Sequence, residues 1–101
     1  MNERRKSGRV GIDMEVNRHA DGDTFICQAC EISPTGIKLR RVLLEDYGDR
    51  LIDIEVPLVK GGLTTALKAR RVWAGGGYEG FEFVGASFAQ QAMLERIFCN
   101  F

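Results

Sequence analysis

The first nine residues of the chain gather cationic side chains that could bind an anion. The run RRKSGR, from Arg4 to Arg9, has four cationic residues among six, whereas the whole chain has 14 Lys and Arg against 14 Asp and Glu. Arg5 and Arg9 are separated by three residues, and Gly8 lies between them. A planar guanidinium offers paired donors to phosphate and can also stack on a base. Because the net charge of the chain is zero, anion binding must be a local property.

A second stretch, from Glu31 to Gly36, places a carboxylate, a hydroxyl and a glycine at fixed spacing where a predicted strand ends in a turn. The Glu31 carboxylate can accept hydrogen bonds from N–H donors on a purine edge, and the Ser33 hydroxyl can donate or accept. Gly36 would let backbone approach closely. Taken alone, the same residues also fit an ordinary Ser-Pro turn, so the motif by itself leaves both interpretations open.

Other reactive residue types form no recognisable catalytic or metal site. The only histidine, His19, falls in a predicted polar turn, and no pair of carboxylates stands out. Cys27 and Cys30 have no second cysteine pair, and on a strand an i, i+3 pair points to opposite faces, so we interpret them as small buried residues. The glycines at 75–77 precede a strand rather than a helix, unlike a phosphate-binding loop. We expect no enzyme activity, no metal and no cofactor.

Alternation of apolar and polar residues predicts short strands joined by glycine-rich turns, which indicates an antiparallel sandwich or barrel. Segment 41–49 has no clear period and is left irregular, and the polar run HADGD at 19–23 predicts a hairpin turn. The predicted strands are 10–17, 25–32, 37–40, 52–58, 63–74 and 78–85.

The C-terminal segment has helical periodicity instead. Ser87 is a suitable N-cap residue, and Gln90 three positions later would complete a capping box. A helix over 87–100 would cover an open end or face of the barrel with one apolar face. The residues of that face are Met93, Leu94, Ile97, Phe98 and Phe101.

Together these features resemble the PilZ domain family, a bacterial receptor module for cyclic di-GMP. That family has an RxxxR pair before its first strand, which Arg5 and Arg9 match, and [D/N]xSxxG after its second, which Ser33 and Gly36 match. It also tends to end in a strand similar to GFEFVG, at 80–85, followed by a helix. The resemblance spans essentially the whole chain, with the motifs in the family's order.

The resemblance implies an all-β fold, a six-stranded antiparallel PilZ-type barrel with a C-terminal helix. We expect one domain over 1–101, with a flexible basic arm at 1–9, the barrel at 10–85 and the helix at 87–100. The arm would fold over cyclic di-GMP, with Arg5 and Arg9 holding phosphate and stacking on guanine. Ser33 and Gly36 would meet the guanine edge and backbone.

Two positions bear on how well the ligand would fit. Glu31 stands where the family has Asp or Asn, and its extra methylene moves the carboxylate outward. Arg4 adds a third guanidinium before the motif, which could serve a second, stacked ligand molecule.

The resulting hypothesis is a cytoplasmic cyclic di-GMP receptor that passes its signal to an unidentified effector protein. The odd number of cysteines, three, favours a reducing compartment, and no segment predicts membrane insertion.

Two alternatives remain open. One is a PilZ-fold adaptor that works through protein contacts without the ligand, and the other is a small barrel that binds RNA or single-stranded DNA. Only RRVW, at 70–73, and Tyr78 offer the aromatic and basic residues that nucleic-acid binding would need, so we do not expect nucleic acid as a partner.

Overall fold

A computed structural model of the chain describes residues 10–20, 22–41, 51–57 and 64–99. These residues form six β-strands followed by a short C-terminal helix. The strands are β1 Val10–Ala20, β2 Asp23–Ser33, β3 Gly36–Arg40, β4 Leu51–Pro57, β5 Thr64–Gly75 and β6 Tyr78–Phe83. The helix α1, Phe88–Leu94, continues into a π-helical segment, Glu95–Cys99.

The strands form a closed antiparallel barrel in the order β1-β2-β3-β6-β5-β4. The predicted all-β, six-stranded barrel with a C-terminal helix is therefore confirmed. Two glycines with positive φ, Gly76 and Gly77, connect β5 to β6 through a two-residue hairpin loop. Such loops need φ > 0 at both central positions, which explains the glycines at this turn.

The interior of the barrel is filled by side chains that alternate along each strand, as the period-two pattern predicts. Most of them are aliphatic, and Phe81 is the aromatic residue among them. The buried apolar set is Val16, Ala20, Cys27, Ala29, Ile32, Ile37, Leu39, Ile52, Ile54, Val56, Leu67, Ala69, Phe81 and Leu94.

A buried ion pair crosses this interior. Arg18 of β1 and Glu79 of β6 are each 1% exposed, and Arg18 Nη1 donates to Glu79 Oε1 at 2.8 Å. Arg71 Nη1 of β5 donates to the other carboxylate oxygen at 3.2 Å. The Arg18 guanidinium also lies 5.2 Å from the centre of the Phe81 ring. Because β1 and β6 are three strands apart, the pair connects opposite walls of the barrel.

Two sequence predictions about β1 and β6 need correction. His19 lies inside β1 rather than in a turn, because the strand continues until Ala20 pairs with Asp23. The predicted strand ended at Asn17, but the alternation of buried and exposed side chains continues, and Arg18 and Ala20 are buried. Strand β6 ends at Phe83, two residues earlier than predicted.

The helix begins with the predicted capping box. Ser87 Oγ accepts from the Gln90 backbone N–H at 3.0 Å, and Gln90 Oε1 accepts from the Ser87 backbone N–H at 3.1 Å. Leu94 is fully buried, but Ile97 is exposed, contrary to the predicted apolar face. The reason is the π-helical segment, whose i→i+5 hydrogen bonds change the periodicity after Leu94. The side chains of Phe98 and Phe101 lie outside the described residues.

The seam that closes the barrel, between β1 and β4, has side-chain support on its outer face. Its described register covers three residue pairs, from Asn17–Glu55 to His19–Asp53. Asn17 Nδ2 donates to Glu55 Oε1 at 3.2 Å, and His19 Nε2 lies 3.0 Å from the same oxygen. The hydrogen bonds from His19 and Asn17 lower the pKa of the Glu55 carboxyl below its ordinary value.

Replacing Glu79 should destabilise the barrel far more than replacing an exposed carboxylate on the same strand. Glu79→Gln leaves the Arg18 guanidinium buried without its counter-charge, and breaking a buried pair in this way costs about 3–5 kcal/mol. Glu82→Gln is the control, since Glu82 pairs with Arg70 on the exposed surface, where a pair contributes about 0–1 kcal/mol. Urea denaturation should show this difference. Similar free energies of unfolding for the two variants would contradict the structural role of Glu79.

Acid should weaken the closing seam through Glu55. A lowered carboxyl pKa contributes stability that is present above the pKa of the unfolded chain and lost as the pH falls through the folded value. His19→Ala should therefore raise the pKa of Glu55 toward its ordinary value, measured by an NMR pH titration of the side-chain carboxyl. The control is Lys68→Ala, because the Lys68 ammonium pairs with Asp53 and not with Glu55. This variant should leave the Glu55 titration unchanged. An unchanged Glu55 pKa in His19→Ala would contradict the assigned cause.

Candidate functional site

The turn between β2 and β3 is held by the Ser33 hydroxyl. Ser33 Oγ accepts from the backbone N–H groups of Thr35 at 3.2 Å and Gly36 at 3.1 Å. The Thr35 carbonyl in turn accepts from Phe83 N–H of β6 at 2.8 Å. Ser33 is 8% exposed. Its first role in the fold is therefore to close the turn and fix it against β6.

Gly36 is required by the close approach of two strands. A Cβ atom at this position would lie 2.5 Å from the Phe81 carbonyl oxygen, because Gly36 pairs with Glu82 on β6. The obstacle is backbone, which cannot move aside as the end of a flexible side chain can. The sequence prediction that glycine permits close backbone approach here thus has a specific structural partner, the β6 main chain.

Glu31 belongs to a row of residues that crosses five strands of the barrel. In the β-sheet register, each member pairs with the next on the neighbouring strand. We call this set the outer row, since its members lie on the outward-facing side of the sheet. From β1 to β5 it consists of Gly11, Glu31, Lys38, Gly80 and Trp73.

Register shifts next to the outer row turn two of its side chains outward. On β2, Cys27 and Ala29 are buried, so strict alternation would also bury residue 31. The shift between Ala29 and Glu31 reverses the phase and leaves Glu31 partly exposed. A second shift, between Arg71 and Trp73 on β5, does the same for Trp73, which is 46% exposed. A third lies beside Gly11.

Lys38 occupies the centre of the outer row. Its Nζ lies 3.9 Å from Glu31 Oε2, which is an ion pair but is longer than a hydrogen bond. The same atom lies 4.7 Å from the centre of the Tyr78 ring and 6.0 Å from that of Trp73, within range of cation–π attraction. The indole of Trp73 lies over Gly80, where any side chain would collide with it.

The outer row borders a surface pocket of about 170 Å³. This volume is below the roughly 300–1,000 Å³ of pockets that enclose a drug-sized ligand, so it suits part of a larger molecule, such as one base. Polar residues of the β2–β3 turn and the aromatic residue Trp73 both contribute to its lining. The lining residues are Glu31, Ile32, Ser33, Thr35, Gly36, Ile37, Lys38, Val72, Trp73, Gly80, Phe81 and Glu82.

The described lining of the pocket is not cationic. Glu31 and Glu82 carry negative charge and Lys38 carries positive charge. Glu82 Oε2 accepts from Arg70 Nη2 at 2.8 Å at the edge of the pocket. These charges nearly balance, so a dianionic ligand would need cations from elsewhere in the chain.

The predicted site residues divide into two groups. Glu31, Ser33 and Gly36 line one pocket, as a shared site requires. Arg4, Arg5 and Arg9 lie outside the described residues. However, the first residue of β1, Val10, pairs with Ile32, and Gly11 pairs with Glu31. The chain that carries the arginines therefore joins the barrel beside the pocket.

Sequence reasoning did not identify Lys38 as a site residue, and it considered Trp73 and Tyr78 only for nucleic-acid binding. The strand register brings Lys38 and Trp73 to the pocket and places Tyr78 beside Lys38. A single sequence does not fix that register when bulges are present. The buried Arg18–Glu79 pair was also missed, although both residues lie in phase with apolar neighbours on their strands.

Neither a metal site nor a membrane-spanning helix occurs in the described parts of the chain. Across residues 10–20, 22–41, 51–57 and 64–99, no three His, Cys, Asp or Glu side chains come together as metal ligands would. Cys27 and Cys30 are free thiols, and burial raises the pKa of Cys27 despite the opposing effect of nearby Arg18. Over the same residues, no helix has the length and hydropathy to cross a bilayer.

Comparison with solved structures supports the same fold. The chain is similar to the crystal structure of the PilZ domain of CeSA from a cellulose-synthesizing bacterium, with a TM-score of 0.64, 21% identity, and coverage of 88% of this chain and 93% of that domain. It is also similar to an uncharacterised Legionella protein, with a TM-score of 0.56, 14% identity, and coverage of 85% and 84%. A comparison with curated proteins found no match.

The family comparison is more specific than these structural similarities. A model of the PilZ domain matches residues 3–98, nearly the whole chain, including the segment that carries the arginines and the β2–β3 turn. The protein therefore belongs to the PilZ domain family.

Proposed function

We propose that this PilZ domain is a receptor for cyclic di-GMP that binds the dinucleotide between the outer row and the N-terminal arginines. PilZ domains are in general receptor modules for this molecule. The observation that carries the proposal for this chain is the start of β1. Val10 and Gly11 pair with Ile32 and Glu31, which line the pocket, and the RxxxR segment directly precedes Val10 in the sequence.

The arginines supply the charge that the pocket lacks. Cyclic di-GMP carries two phosphates, and the described lining offers Lys38 against Glu31 and Glu82. In the proposal, Arg5 and Arg9 bind phosphate through paired N–H donors and stack on guanine, and Arg4 adds a third guanidinium. Each arginine precedes Val10 by six residues or fewer, so each can reach the pocket beside β1.

The barrel supplies the site for a base. Glu31 offers carboxylate oxygens to the N–H groups of guanine, and Trp73, which also lines the pocket, provides an exposed aromatic side chain for stacking. Ser33 and Gly36 contribute mainly through the turn, because the Ser33 hydroxyl holds the backbone and Gly36 lets it approach β6. The edge of the base is thus bound by the barrel, whereas the phosphates are bound by the arginines, which also stack on the face of guanine.

Isothermal titration with cyclic di-GMP tests the proposal directly and reports the number of ligands bound. Saturable binding to the folded protein, with no comparable binding of single-stranded DNA or RNA, is the expected result. An absence of cyclic di-GMP binding would favour the adaptor that acts through protein contacts alone. Preference for the nucleic acid would favour the small nucleic-acid-binding barrel. In the proposed role the protein acts in the cytoplasm, without a catalytic step, and passes its signal to an effector protein.

Loss of either arginine of the RxxxR pair should weaken binding without unfolding the barrel. A hydrogen bond to a charged group contributes about 1.5–3 kcal/mol, and about 1.4 kcal/mol corresponds to a tenfold change in affinity. Arg5→Ala and Arg9→Ala should therefore each lower the affinity roughly ten- to hundredfold, with a nearly unchanged melting temperature. Lysine at either position should also weaken binding, since an ammonium cannot form the paired contact.

The control for these variants is Arg96→Ala, which removes the same charge from the exposed C-terminal segment, away from the pocket. It should bind like the parent protein. Parental affinity in both Arg5→Ala and Arg9→Ala would show that the basic segment is not part of the site.

Shortening Glu31 should tighten binding. Glu31→Asp keeps the charge, restores the family pattern and removes one methylene from the wall of a small pocket. We expect the binding free energy to become more favourable by up to about 1–2 kcal/mol, the scale of one well-formed hydrogen bond, as measured by isothermal titration. Glu82→Asp applies the same change to another lining carboxylate and should have a smaller effect. Weaker binding by Glu31→Asp would contradict this expectation and would mean that the longer glutamate side chain is needed to contact the ligand.

A further inference from the structure

We propose that Lys38 is a specificity-determining residue that, together with Glu31, selects guanine over adenine; this inference rests on the proposed binding of a cyclic dinucleotide. The two side chains are neighbours in the outer row, on β3 and β2. Both line the pocket, and both are about one-third exposed, so a ligand can reach them.

The position of the Lys38 ammonium is defined on three sides. Glu31 Oε2 lies 3.9 Å away, and the rings of Tyr78 and Trp73 lie at 4.7 and 6.0 Å. These attractions hold a long, flexible side chain close to the outer face of the barrel, where it lines the pocket, instead of leaving it extended into solvent. Because the separation from Glu31 exceeds the length of a hydrogen bond, the two charged groups are neighbours but are not hydrogen-bonded to each other.

The two glycines of the row differ in what lies above them. Gly11, which precedes Glu31, leaves open space beside the carboxylate, whereas Gly80, which follows Lys38, leaves room for the Trp73 indole. Trp73 lies over Gly80 and borders the pocket beside the ammonium. In the arrangement that we propose, a flat base packs against Trp73 with its pairing edge toward Lys38 and Glu31.

The chemistry of the pair favours guanine over adenine. Along its pairing edge, guanine has the acceptor O6 beside the donors N1–H and N2–H₂. Adenine has the donor N6–H₂ beside the acceptor N1. An ammonium only donates, and an ionised carboxylate only accepts. Lys38 can therefore donate to O6 of guanine while Glu31 accepts from both N1–H and N2–H₂. Adenine in the same orientation would bring donor against donor and acceptor against acceptor, and in the reverse orientation it would offer Glu31 one donor group, N6–H₂, instead of two.

The match with guanine contributes affinity, and the poorer match with adenine contributes selectivity. A site arranged to hydrogen-bond one ligand rejects an analogue that leaves its polar groups unpaired. The phosphates of the two cyclic dinucleotides are identical, so contacts to phosphate cannot distinguish them. The base edge is where discrimination between them must arise, and Lys38 is the described cation that lines the pocket.

The test compares the affinities of the parent and Lys38→Met for cyclic di-GMP and cyclic di-AMP by isothermal titration. Methionine keeps an unbranched side chain but removes the ammonium. We expect cyclic di-GMP affinity to fall roughly ten- to hundredfold, as for loss of a charge-assisted hydrogen bond. Cyclic di-AMP affinity should fall less or not at all, so the preference for guanine shrinks. Lys38→Arg should retain most of the preference.

Lys68→Met is the matched control. Lys68 also forms a cross-strand pair with a carboxylate, Asp53 at 3.2 Å, on the outer face of the barrel, but it does not line the pocket. It should bind both dinucleotides like the parent, and thermal melting should show both methionine variants folded.

Each alternative result separates this inference from the proposed function. If the parent binds cyclic di-GMP and Lys38→Met binds it equally well, Lys38 is not in the site while the receptor function stands. If Lys38→Met loses the same factor for both dinucleotides, Lys38 acts on phosphate and the base-reading role is wrong. If the parent binds neither dinucleotide, the proposed function fails and this inference with it.

Discussion

The buried ion pair between Arg18 and Glu79 is the constraint on which the arrangement of the barrel depends. It joins β1 to β6 across the interior, and Arg71 extends it to β5. Two charges taken out of water are costly unless they meet in good geometry, so the pair tolerates few alternative registers. Apolar neighbours such as Phe81 and Cys27 could pack in several ways, whereas the carboxylate of Glu79 must meet both guanidiniums. The hypothesis that follows is that the pair specifies the register more than it adds stability.

A register fixed on the inside also determines the outside. Glu79 and Phe81 point into the barrel, so Gly80 between them lies on the outward-facing side of β6. Gly80 pairs with Lys38 on one side and Trp73 on the other, which places the centre of the outer row. A slip of β6 by one residue would bury the wrong side chains and dismantle the pocket together with the core. The ligand site is therefore a consequence of the same pairing that forms the fold.

Sequence alone could predict most of the strands, because the alternation of apolar and polar residues is a local signal. That signal left a sandwich and a barrel both open, and the choice of a six-stranded barrel came from the resemblance to the PilZ family. The capping box of Ser87 and Gln90 is equally local and was found for the same reason. The outer row could not be assembled in this way, because the register shifts beside Glu31 and Trp73 reverse the alternation at single residues. Nothing in the residue types marks those shifts. The buried position of Arg18 was missed for a different reason. A charged residue at a position where the alternation calls for an apolar one is ordinarily taken as the end of a strand.

The proposed function divides recognition between two parts of the chain with different physics. Charge acts over a distance and requires little precision, so arginines that precede β1 can attract any dianionic dinucleotide. Hydrogen bonding to a base edge requires fixed geometry, and the outer row has it because its backbone is part of a closed sheet. The near balance of charge in the pocket then has a use. With Lys38 offset by Glu31, the barrel adds little attraction for phosphate, so the energy it contributes depends on which base it meets.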